Sequence, residues 1–320
     1  MMDIKTTLPL ISIGIPTYNG SKRLPRALTS IWAQQYPNLE IIISDNCSTD
    51  NTQETVVQVQ QDHPEVKYFR QSKNIGILSN FEFTIAHATG KYFMWVSDDD
   101  AVETGAFFKY VTFLETNPQY ALVSGHIKYW QGDTLDYIER GLSFESNYPG
   151  LRTIQYYFSV IYGGMFHGLM RMDMAAVVPT RKVFANDFHF VASLAYVGKI
   201  KNFEYTGYHK YLGGFSQDIK KSATALGESD LASEFPYVKL SIDAFAEILF
   251  RSPVYYRLPA LARFPLAVLC FLSAFFGYYG KIYPLTVAGK LKRFAFRILG
   301  IRDKGSLFKR RSQRVLLNKL

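Results

Sequence analysis

The sequence has few cysteines and lacks several common motifs, and each shortage excludes a class of protein. Only Cys47 and Cys270 occur in 320 residues, so we expect neither a disulfide framework nor a cysteine metal site, and a reducing compartment fits. The first residues, MMDIKTTLPL, lack a basic stretch followed by a long apolar run, so no secretory signal is expected. A glycine-rich dinucleotide fingerprint and a phosphate-binding loop are both absent, which argues against a dehydrogenase and an NTPase.

Acidic residues are nearly missing from the last part of the chain. Residues 251–320 contain 15 Lys and Arg but a single acid, Asp303, whereas residues 1–250 contain 21 basic and 26 acidic residues. Such asymmetry is typical of contact with a polyanion. Residues 264–280 carry no charge and reach the lower limit for a membrane span, although Pro265 weakens that interpretation. Downstream, basic residues alternate with Phe, Ile and Leu, which favours an anionic membrane surface over nucleic acid.

Apolar runs alternate with helix-like segments along the first hundred residues. Helices are predicted over 23–35 and 77–90, and another follows Ser48 and Asp50, either of which can cap it. The predicted strands cover residues 9–18, 39–43, 65–71 and 91–97. This order predicts an α/β fold with a mostly parallel sheet flanked by helices. Ligands of such sheets bind at the carboxyl ends of the strands, where the polar loops after strands one, two and four should meet.

The second half of the chain has weaker signals. A strand is predicted over 121–130, an amphipathic stretch over 164–178 and a helix over 186–200. Residues 203–216 read as a strand followed by a glycine-rich loop, with Gly213 and Gly214 as a candidate lid hinge.

Three consecutive carboxylates, Asp98, Asp99 and Asp100, directly follow the predicted buried strand KYFMWVS. Like charges this close repel one another where water is scarce, so either a cation binds there or the strand ends in a solvated acidic turn. Carboxylate oxygens suit Mg²⁺ or Mn²⁺, which also bind diphosphate oxygens.

These segments together resemble family 2 glycosyltransferases, which have the GT-A fold. The resemblance covers roughly residues 9–216. It rests on IPTYNGSKRLPRALTSIWAQQYPNLEIIISDNCSTDNT, on NIG with ATGKYFMWVSDDD, and more loosely on ND and YHKYLGGFS. It implies a catalytic domain over residues 1–220, and the composition predicts a helical, basic and apolar membrane-associating region over 221–320. The Gln-x-x-Arg-Trp signature of processive synthases is missing, so one sugar per encounter is expected.

The resemblance also implies roles for particular residues. Those implied for binding the nucleotide sugar are Pro16, Thr17, Tyr18, Asp45, Asn46, Lys73 and Asp98. Those implied for holding Mn²⁺ or Mg²⁺ are Asp99, Asp100 and His209, and those implied for contacting the acceptor are His167 and Arg171. Asp187 would be the catalytic base, with His189 a weaker candidate.

Three positions depart from the family pattern. Ser97 stands where an acid is common, so the metal ligands among the three aspartates stay open. Asn46 replaces a second acid, which leaves the identity of the nucleotide base less defined. Asn186 replaces a glutamate, which leaves the match to the family's catalytic-base motif incomplete. Structural alternatives are a helix cap for Asp187, a structural histidine for His209 and an ordinary core helix for His167 and Arg171. The alternative for the candidate nucleotide-site residues is that of turn residues, namely for Pro16, Thr17, Tyr18, Asp45, Asn46 and Lys73.

The sequence therefore predicts an inverting, metal-dependent glycosyltransferase. We expect it to move one sugar from a UDP-, GDP- or dTDP-sugar to a hydroxyl acceptor, namely a lipid-linked glycan of cell-surface polysaccharide. We expect it at the cytoplasmic face of the membrane, peripheral or monotopic, with no nucleic-acid partner. The alternatives are a polyprenol-phosphate sugar synthase, a sugar-phosphate nucleotidyltransferase and a non-catalytic membrane-bound binding protein.

Overall fold

The structure is a computed structural model, and it describes residues 8–159, 163–212, 232 and 234–282. The candidate hinge at Gly213 and Gly214 lies outside these residues, as does the basic tail beyond residue 282. The predicted domain boundary near residue 220 also falls outside them and stays a prediction.

The first half of the chain forms a parallel sheet, as the alternation of strands and helices predicted. Its strands are β1 (Ile11–Thr17), β2 (Leu39–Asp45), β3 (Val66–Arg70) and β4 (Tyr92–Trp95). Strand β1 lies between β2 and β4 and is parallel to both. The connecting helices are α1 (Leu24–Trp32), α2 (Thr52–Asp62) and α3 (Ile77–Ala86).

The second half extends this sheet with antiparallel and mixed pairings. Its strands are β5 (Ala101–Val102), β6 (Tyr120–Gln131), β7 (Thr134–Glu139), β8 (Leu169–Arg171) and β9 (Lys199–Tyr211). The order across the sheet is β3-β2-β1-β4-β8-β6-β9-β5, with β7 paired to β6. Strand β9 runs parallel to β6, and the short β5 pairs with β9 just after the acidic triplet. The mixed sheet with flanking helices confirms the predicted fold class.

Helices cover both faces of the sheet. They are α4 (Ala106–Thr116), α5 (Pro149–Ser159), the short α6 (Met172–Ala175), α7 (Asn186–Val197), α8 (Pro236–Ala246) and α9 (Ala260–Ile282). A π turn (Glu247–Arg251) and a 3₁₀ turn (Pro253–Arg257) connect α8 to α9. A second 3₁₀ turn (Gly164–His167), β8 and α6 occupy most of the stretch predicted to be amphipathic, and β8 is extended because it is paired between β4 and β6.

The alternation of side chains along β4 divides the core in two. Tyr92 and Met94 face one apolar cluster, which packs under α1 and α4. Phe93 and Trp95 face the other, which includes residues of α5, α7, α8 and α9. Successive strand residues point to opposite faces, so a continuous apolar run is required where both faces are covered. The C-terminal helices thus share a core with the sheet.

His189 is buried in this second cluster without a complete set of polar partners. Its Nδ1 lies 2.9 Å from the Tyr157 hydroxyl, and its Nε2 has no hydrogen-bond partner among the described residues. Burial lowers the pKa of His189 to about 4, and Asp243 raises it by a smaller amount. The imidazole is therefore neutral at physiological pH.

We expect His189 to make the protein sensitive to acid. Its folded-state pKa lies below the unfolded value, so the unfolded state binds the extra proton, and stability decreases as the pH falls from about 6.5 towards 4. His189→Gln should remove roughly 2–3 kcal/mol of that pH dependence. The measurement is the free energy of unfolding in denaturant at several pH values. His87→Gln, at an exposed histidine, is the matched control, and an unchanged pH profile in His189→Gln would contradict the assignment.

Candidate active site

The carboxyl ends of the central strands bring the predicted site residues to one edge of the sheet. Thr17 at the end of β1 is in register with Asp45 at the end of β2, and Gly14 is in register with Trp95 near the end of β4. Pro16 precedes Thr17 inside β1 and is buried. Because parallel strands end at the same edge, the acidic triplet after β4 lies next to the loop after β1.

Asp98 is held by the loop after β1. Its Oδ2 accepts a hydrogen bond of 2.6 Å from the Thr17 hydroxyl, and the Arg23 guanidinium binds both carboxylate oxygens at 3.1 and 2.8 Å. The same Arg23 donates to the Tyr18 carbonyl oxygen. This bidentate ion pair balances one of the three negative charges and connects the acidic turn to the start of α1.

Among the described residues, no arginine or lysine forms such an ion pair with Asp99 or Asp100. Both residues lie in a tight turn, in which the Asp100 amide donates a hydrogen bond to the Ser97 carbonyl oxygen. Asp100 is 1% exposed, and its Oδ1 accepts from the Tyr211 amide, whereas its Oδ2 has no partner with hydrogen-bond geometry in the described part of the chain. Burial raises the pKa of Asp100 to about 7, and burial together with the Asp98 charge raises the pKa of Asp99.

Lys210 on β9 is the cation that faces these carboxylates, and the sequence reasoning missed it. Its charge lowers the pKa values of Asp99, Asp100 and Asp187, in each case opposing the effect of burial. Its ammonium group lies 3.3 Å from Nε2 of His167. The available signal was the motif YHKYLGGFS, in which alternation along a strand puts either His209 or Lys210 on the site's side.

His167 positions Lys210. Burial and the Lys210 charge lower the pKa of His167, so its ring is neutral. Nδ1 lies 3.1 Å from the Trp95 carbonyl oxygen, which can only accept, so Nδ1 carries the proton and Nε2 accepts from Lys210. The ring also stacks on Tyr208 at 4.7 Å. Its predicted contact with the acceptor stays untested, and the structure assigns it this supporting role.

His209 points to the other side of β9, away from Lys210. Its Nε2 lies 3.0 Å from Glu103, and its Nδ1 accepts from the Trp130 indole at 2.9 Å. Both ring nitrogens are therefore engaged away from the carboxylates. The prediction that His209 completes a metal site gains no support from this position.

Asp187 lies in the first turn of α7, where Ala185 at the helix start has a left-handed backbone (φ 54°). Burial raises the pKa of its carboxyl, while the Lys210 charge lowers it. A Cβ at Gly163 would overlap the Asp187 carboxylate, so this glycine allows the backbone to approach the acid closely. Asn186 accepts a hydrogen bond from the Arg181 amide and supports the turn.

The polar residues after β2 hold the walls of the candidate nucleotide site. Asp45 is fully buried, and it accepts hydrogen bonds from Ser48 and from the Tyr68 hydroxyl. Asn46 binds Asn74 and the Ile75 amide, which ties this loop to the start of α3. Two side chains near these loops are exposed and can contact a ligand: Tyr18, which is 45% exposed, and Lys73.

Arg171 requires a correction. It is in register with Tyr92, at the opposite end of β4 from the acidic triplet. Its guanidinium donates to the carbonyl oxygens of Tyr120 and Leu114, which fills a buried position between β8 and α4. Arg171 is therefore a structural residue at the far edge of the sheet, away from the acidic turn, and its predicted contact with the acceptor gains no support from this position.

The acidic turn fits a divalent cation with only two protein ligands. Within the described ranges, no group of three or more His, Cys, Asp or Glu side chains is arranged to hold a metal ion. Asp99 and the free oxygen of Asp100 remain as hard oxygen donors with raised pKa values, an arrangement that a cation would stabilise. A metal with one or two carboxylates, its other positions taken by phosphate and water, is typical of Mg²⁺ sites.

Similar proteins and structures agree with this architecture. The GalNAc(5)-diNAcBac-PP-undecaprenol beta-1,3-glucosyltransferase of Campylobacter jejuni is 33% identical over 120 residues, which are 37% of this chain and 38% of that protein. The chondroitin synthase of Escherichia coli is 36% identical over 99 residues, 31% of this chain and 14% of that protein. The alignments thus span well under half of these relatives.

Two solved structures cover most of the chain at low identity and so show the fold alone. The S. aureus TarS fragment in complex with UDP-GlcNAc has a TM-score of 0.51 and 18% identity, covering 90% of this chain and 89% of that one. The mannosyltransferase PcManGT from Pyrobaculum calidifontis, in complex with GDP-Man and Mn²⁺, has a TM-score of 0.53 and 17% identity, covering 93% and 86%. Both likenesses confirm the expected GT-A fold.

The family is shown by a sequence match that includes the loops after β1 and β2, the acidic triplet and strand β8. Residues 12–176, slightly more than half of the chain, match the family described as glycosyl transferase family 2. The predicted family is confirmed: the chain belongs to glycosyl transferase family 2.

Proposed function

We propose that the protein is an inverting glycosyltransferase that moves one sugar from a nucleoside-diphosphate sugar to a hydroxyl group. The observation that carries this proposal is that Asp99, Asp100 and Asp187 share the nearby cation Lys210, whose charge lowers the pKa of each of them. Two acids at the turn provide a site for a charged diphosphate with its metal. The third acid, on a different element, is available for proton transfer.

The donor would lie along the loops after β1 and β2. Pro16, Thr17 and Tyr18 would line one side, where the exposed Tyr18 ring offers a flat surface to a nucleotide base. Asp45 and Asn46 hold this side in shape, Asp98 would meet the ribose, and the exposed Lys73 would reach the ribose or the phosphates. Solved neighbours hold UDP-GlcNAc and GDP-Man, and we propose a UDP-, GDP- or dTDP-sugar for this chain.

Asp99 and Asp100 would hold Mn²⁺ or Mg²⁺. When bound, the metal supplies positive charge that neutralises the departing nucleoside diphosphate. Lys210 adds a fixed positive charge on the same side, and it needs no reorganisation because His167 already orients its ammonium group.

Asp187 would act as the base. The acceptor hydroxyl oxygen forms a bond to the anomeric carbon, the bond from that carbon to the diphosphate oxygen breaks, and the hydroxyl proton moves to the Asp187 carboxylate. Attack from the face opposite the leaving group inverts the configuration. Burial raises the pKa of Asp187, which makes its carboxylate a stronger base than a solvated aspartate.

The acceptor we propose is a lipid-linked glycan of cell-surface polysaccharide synthesis. The name of the Campylobacter relative includes an undecaprenol-diphosphate glycan, and the described chain has one helix long and apolar enough to cross a membrane. We propose that the protein works at the cytoplasmic face of the membrane, attached as a peripheral or monotopic protein.

Separate replacement of Asp99 and Asp187 distinguishes donor binding from chemistry. Asp99→Asn should abolish Mn²⁺-dependent binding of the donor, measured by calorimetry. Asp187→Asn should retain donor binding and lower kcat by roughly 10²–10⁴-fold, because only the proton acceptor is lost. The control is Asp173→Asn, an exposed acid in the first turn of α6. Full turnover by Asp187→Asn would instead favour a phosphate acceptor, as in a polyprenol-phosphate sugar synthase.

Replacement of Lys210 tests its charge. Lys210→Met should reduce kcat by about 10²-fold, since a preorganised positive charge next to the leaving diphosphate is lost. Lys210→Arg should recover part of the rate, whereas Lys201→Met, at a lysine of β9 outside the site, should have no effect. Initial rates of nucleoside diphosphate release are the measurement, and equal rates for Lys210→Met and the wild type would remove Lys210 from the mechanism.

The two neighbouring acids should affect stability in opposite directions. Asp98→Asn removes the ionic partner of Arg23 and should destabilise the protein by about 1–2 kcal/mol. Asp100→Asn removes a buried, incompletely bonded charge and should leave the melting temperature unchanged or higher. Both melting temperatures are measured at pH 8 with EDTA. A large destabilisation by Asp100→Asn would mean that Asp100 supports the fold and is not retained for a ligand.

A further inference from the structure

Helix α9 has two apolar faces, and the described residues cover only one of them. The covered face consists of residues that recur at helical spacing, namely Leu266, Ala267, Cys270, Ser273, Ala274 and Gly277. The opposite face exposes Leu261 (89%), Phe264 (55%), Leu269 (48%) and Leu272 (39%). Only a third of the apolar window Ala260–Tyr278 is buried. A helix from an ordinary protein core would be mostly buried.

The covered face holds α9 firmly against the catalytic domain. A Cβ at Gly277 would lie 2.4 Å from the carbonyl oxygen of Phe158 at the end of α5, and one at Gly150 would lie 3.2 Å from the Leu266 side chain. Helices α5 and α9 thus lie side by side in close contact. Cys270 belongs to the same core cluster as Trp95 of β4. A helix packed in this way cannot be surrounded by lipid without breaking the core.

The uncovered face continues beyond α9 into the preceding turns. Phe250 is 65% exposed, and the Phe245 ring connects it to Phe264, with centroids 6.4 and 6.1 Å apart. Tyr256 is 50% exposed, and the Arg263 guanidinium lies over its ring at 4.7 Å. We call this continuous surface the apolar face. Its members are Phe250, Tyr256, Leu261, Phe264, Leu269 and Leu272.

The charged residues of the described chain that follow Glu247 are all basic. No acid occurs between Glu247 and the end of the described chain, while Arg251, Arg257 and Arg263 lie along the same turns and helix. Arg251 is already paired with Asp243, and Arg257 is exposed. Basic residues that border exposed aromatic and aliphatic side chains are typical of helices lying in the interface of an anionic membrane.

We propose that α9 lies flat on the membrane surface, with the apolar face inserted at the boundary between lipid headgroups and acyl chains. The protein is then monotopic, and α9 does not span the bilayer. This inference deepens the membrane location proposed above and does not depend on the sugar-transfer reaction.

This placement orients the active site. Helix α7, whose first turn carries Asp187, packs on α5, with Arg152 of α5 donating to the Ala195 carbonyl oxygen of α7. The candidate base and the membrane helix therefore belong to the same layer of helices. An acceptor carried by a lipid would reach Asp187 from the membrane side.

The test is flotation of the full-length protein with phosphatidylcholine vesicles that contain or lack phosphatidylglycerol, without any donor. The wild type should bind, and more strongly when phosphatidylglycerol is present. The triple variant Leu261→Ser, Phe264→Ser, Leu269→Ser should lose at least about tenfold in binding. The control triple Val57→Ser, Leu135→Ser, Val177→Ser changes exposed aliphatic residues elsewhere, which are 41–46% exposed, and should bind like the wild type.

A second variant and a second measurement keep the test decisive. Phe250→Ser with Tyr256→Ser alters the apolar face outside α9 and should weaken binding partly, with the melting temperature of each variant verifying its fold. Alkaline carbonate should release the membrane-bound wild type, because a surface helix is not anchored across the bilayer. Resistance to carbonate would overturn the proposal in favour of a spanning helix.

Two other outcomes also overturn it. One is equal vesicle binding by the triple variant and the wild type. The other is a wild-type dimer in sedimentation that the triple variant loses, with no vesicle binding, which would mean that a second copy covers the apolar face. A protein that binds vesicles through this face but transfers no sugar would retain the inference and exclude the proposed function.

Discussion

The site depends on the electrostatic balance of an acidic turn at the edge of the sheet. Asp98, Asp99 and Asp100 carry three like charges into a mostly buried position, which is unfavourable unless cations compensate them. Arg23 neutralises Asp98 from the loop after β1, and Lys210 faces the other two from β9. The compensation is incomplete, since the pKa values of Asp99 and Asp100 remain raised. The remaining deficit of positive charge is what makes the turn suited to a metal and a phosphorylated ligand.

Strand β9 contributes to this charge balance because successive side chains along the strand point to opposite faces. Tyr208 and Lys210 face the acids and His167, while His209 faces Trp130 and Glu103 on the other side. The pairing of β5 with β9 brings the residues after the acidic triplet directly to this strand. A shift of β9 by one residue would exchange Lys210 for His209 at the site. The register of one strand thus decides which basic residue meets the ligand.

The second core cluster connects the strand before the acidic turn to helix α9. Trp95 ends the strand before the acidic turn, and its ring stacks on Phe166 at 4.3 Å, next to the 3₁₀ turn that carries His167. The same cluster extends through α5 and α7 to the buried stripe of α9. Because these helices pack on one another, the candidate base and the apolar face belong to one layer of packed helices. The protein's orientation on a lipid surface would therefore set the direction from which an acceptor arrives.

The sequence by itself determined the elements with strong local signals. Continuous apolar runs predicted β1, β2 and β4 within a few residues, and the turn chemistry after them located the acidic triplet and the loops at Thr17 and Asp45. Composition alone separated an acidic body from a basic, apolar end. These features are local, so no knowledge of distant contacts was needed.

Only the tertiary structure decided which residues meet. Lys210 approaches Asp99 and Asp187 through long-range pairing of β9 with β6, Arg171 lies at the wrong end of its strand, and the segment around β8 extends because it is paired on both sides. Both faces of α9 are apolar in sequence, and packing against α5 and α8 is what distinguishes them. Contacts between distant segments depend on the register and direction of strands, which periodicity in one segment does not encode.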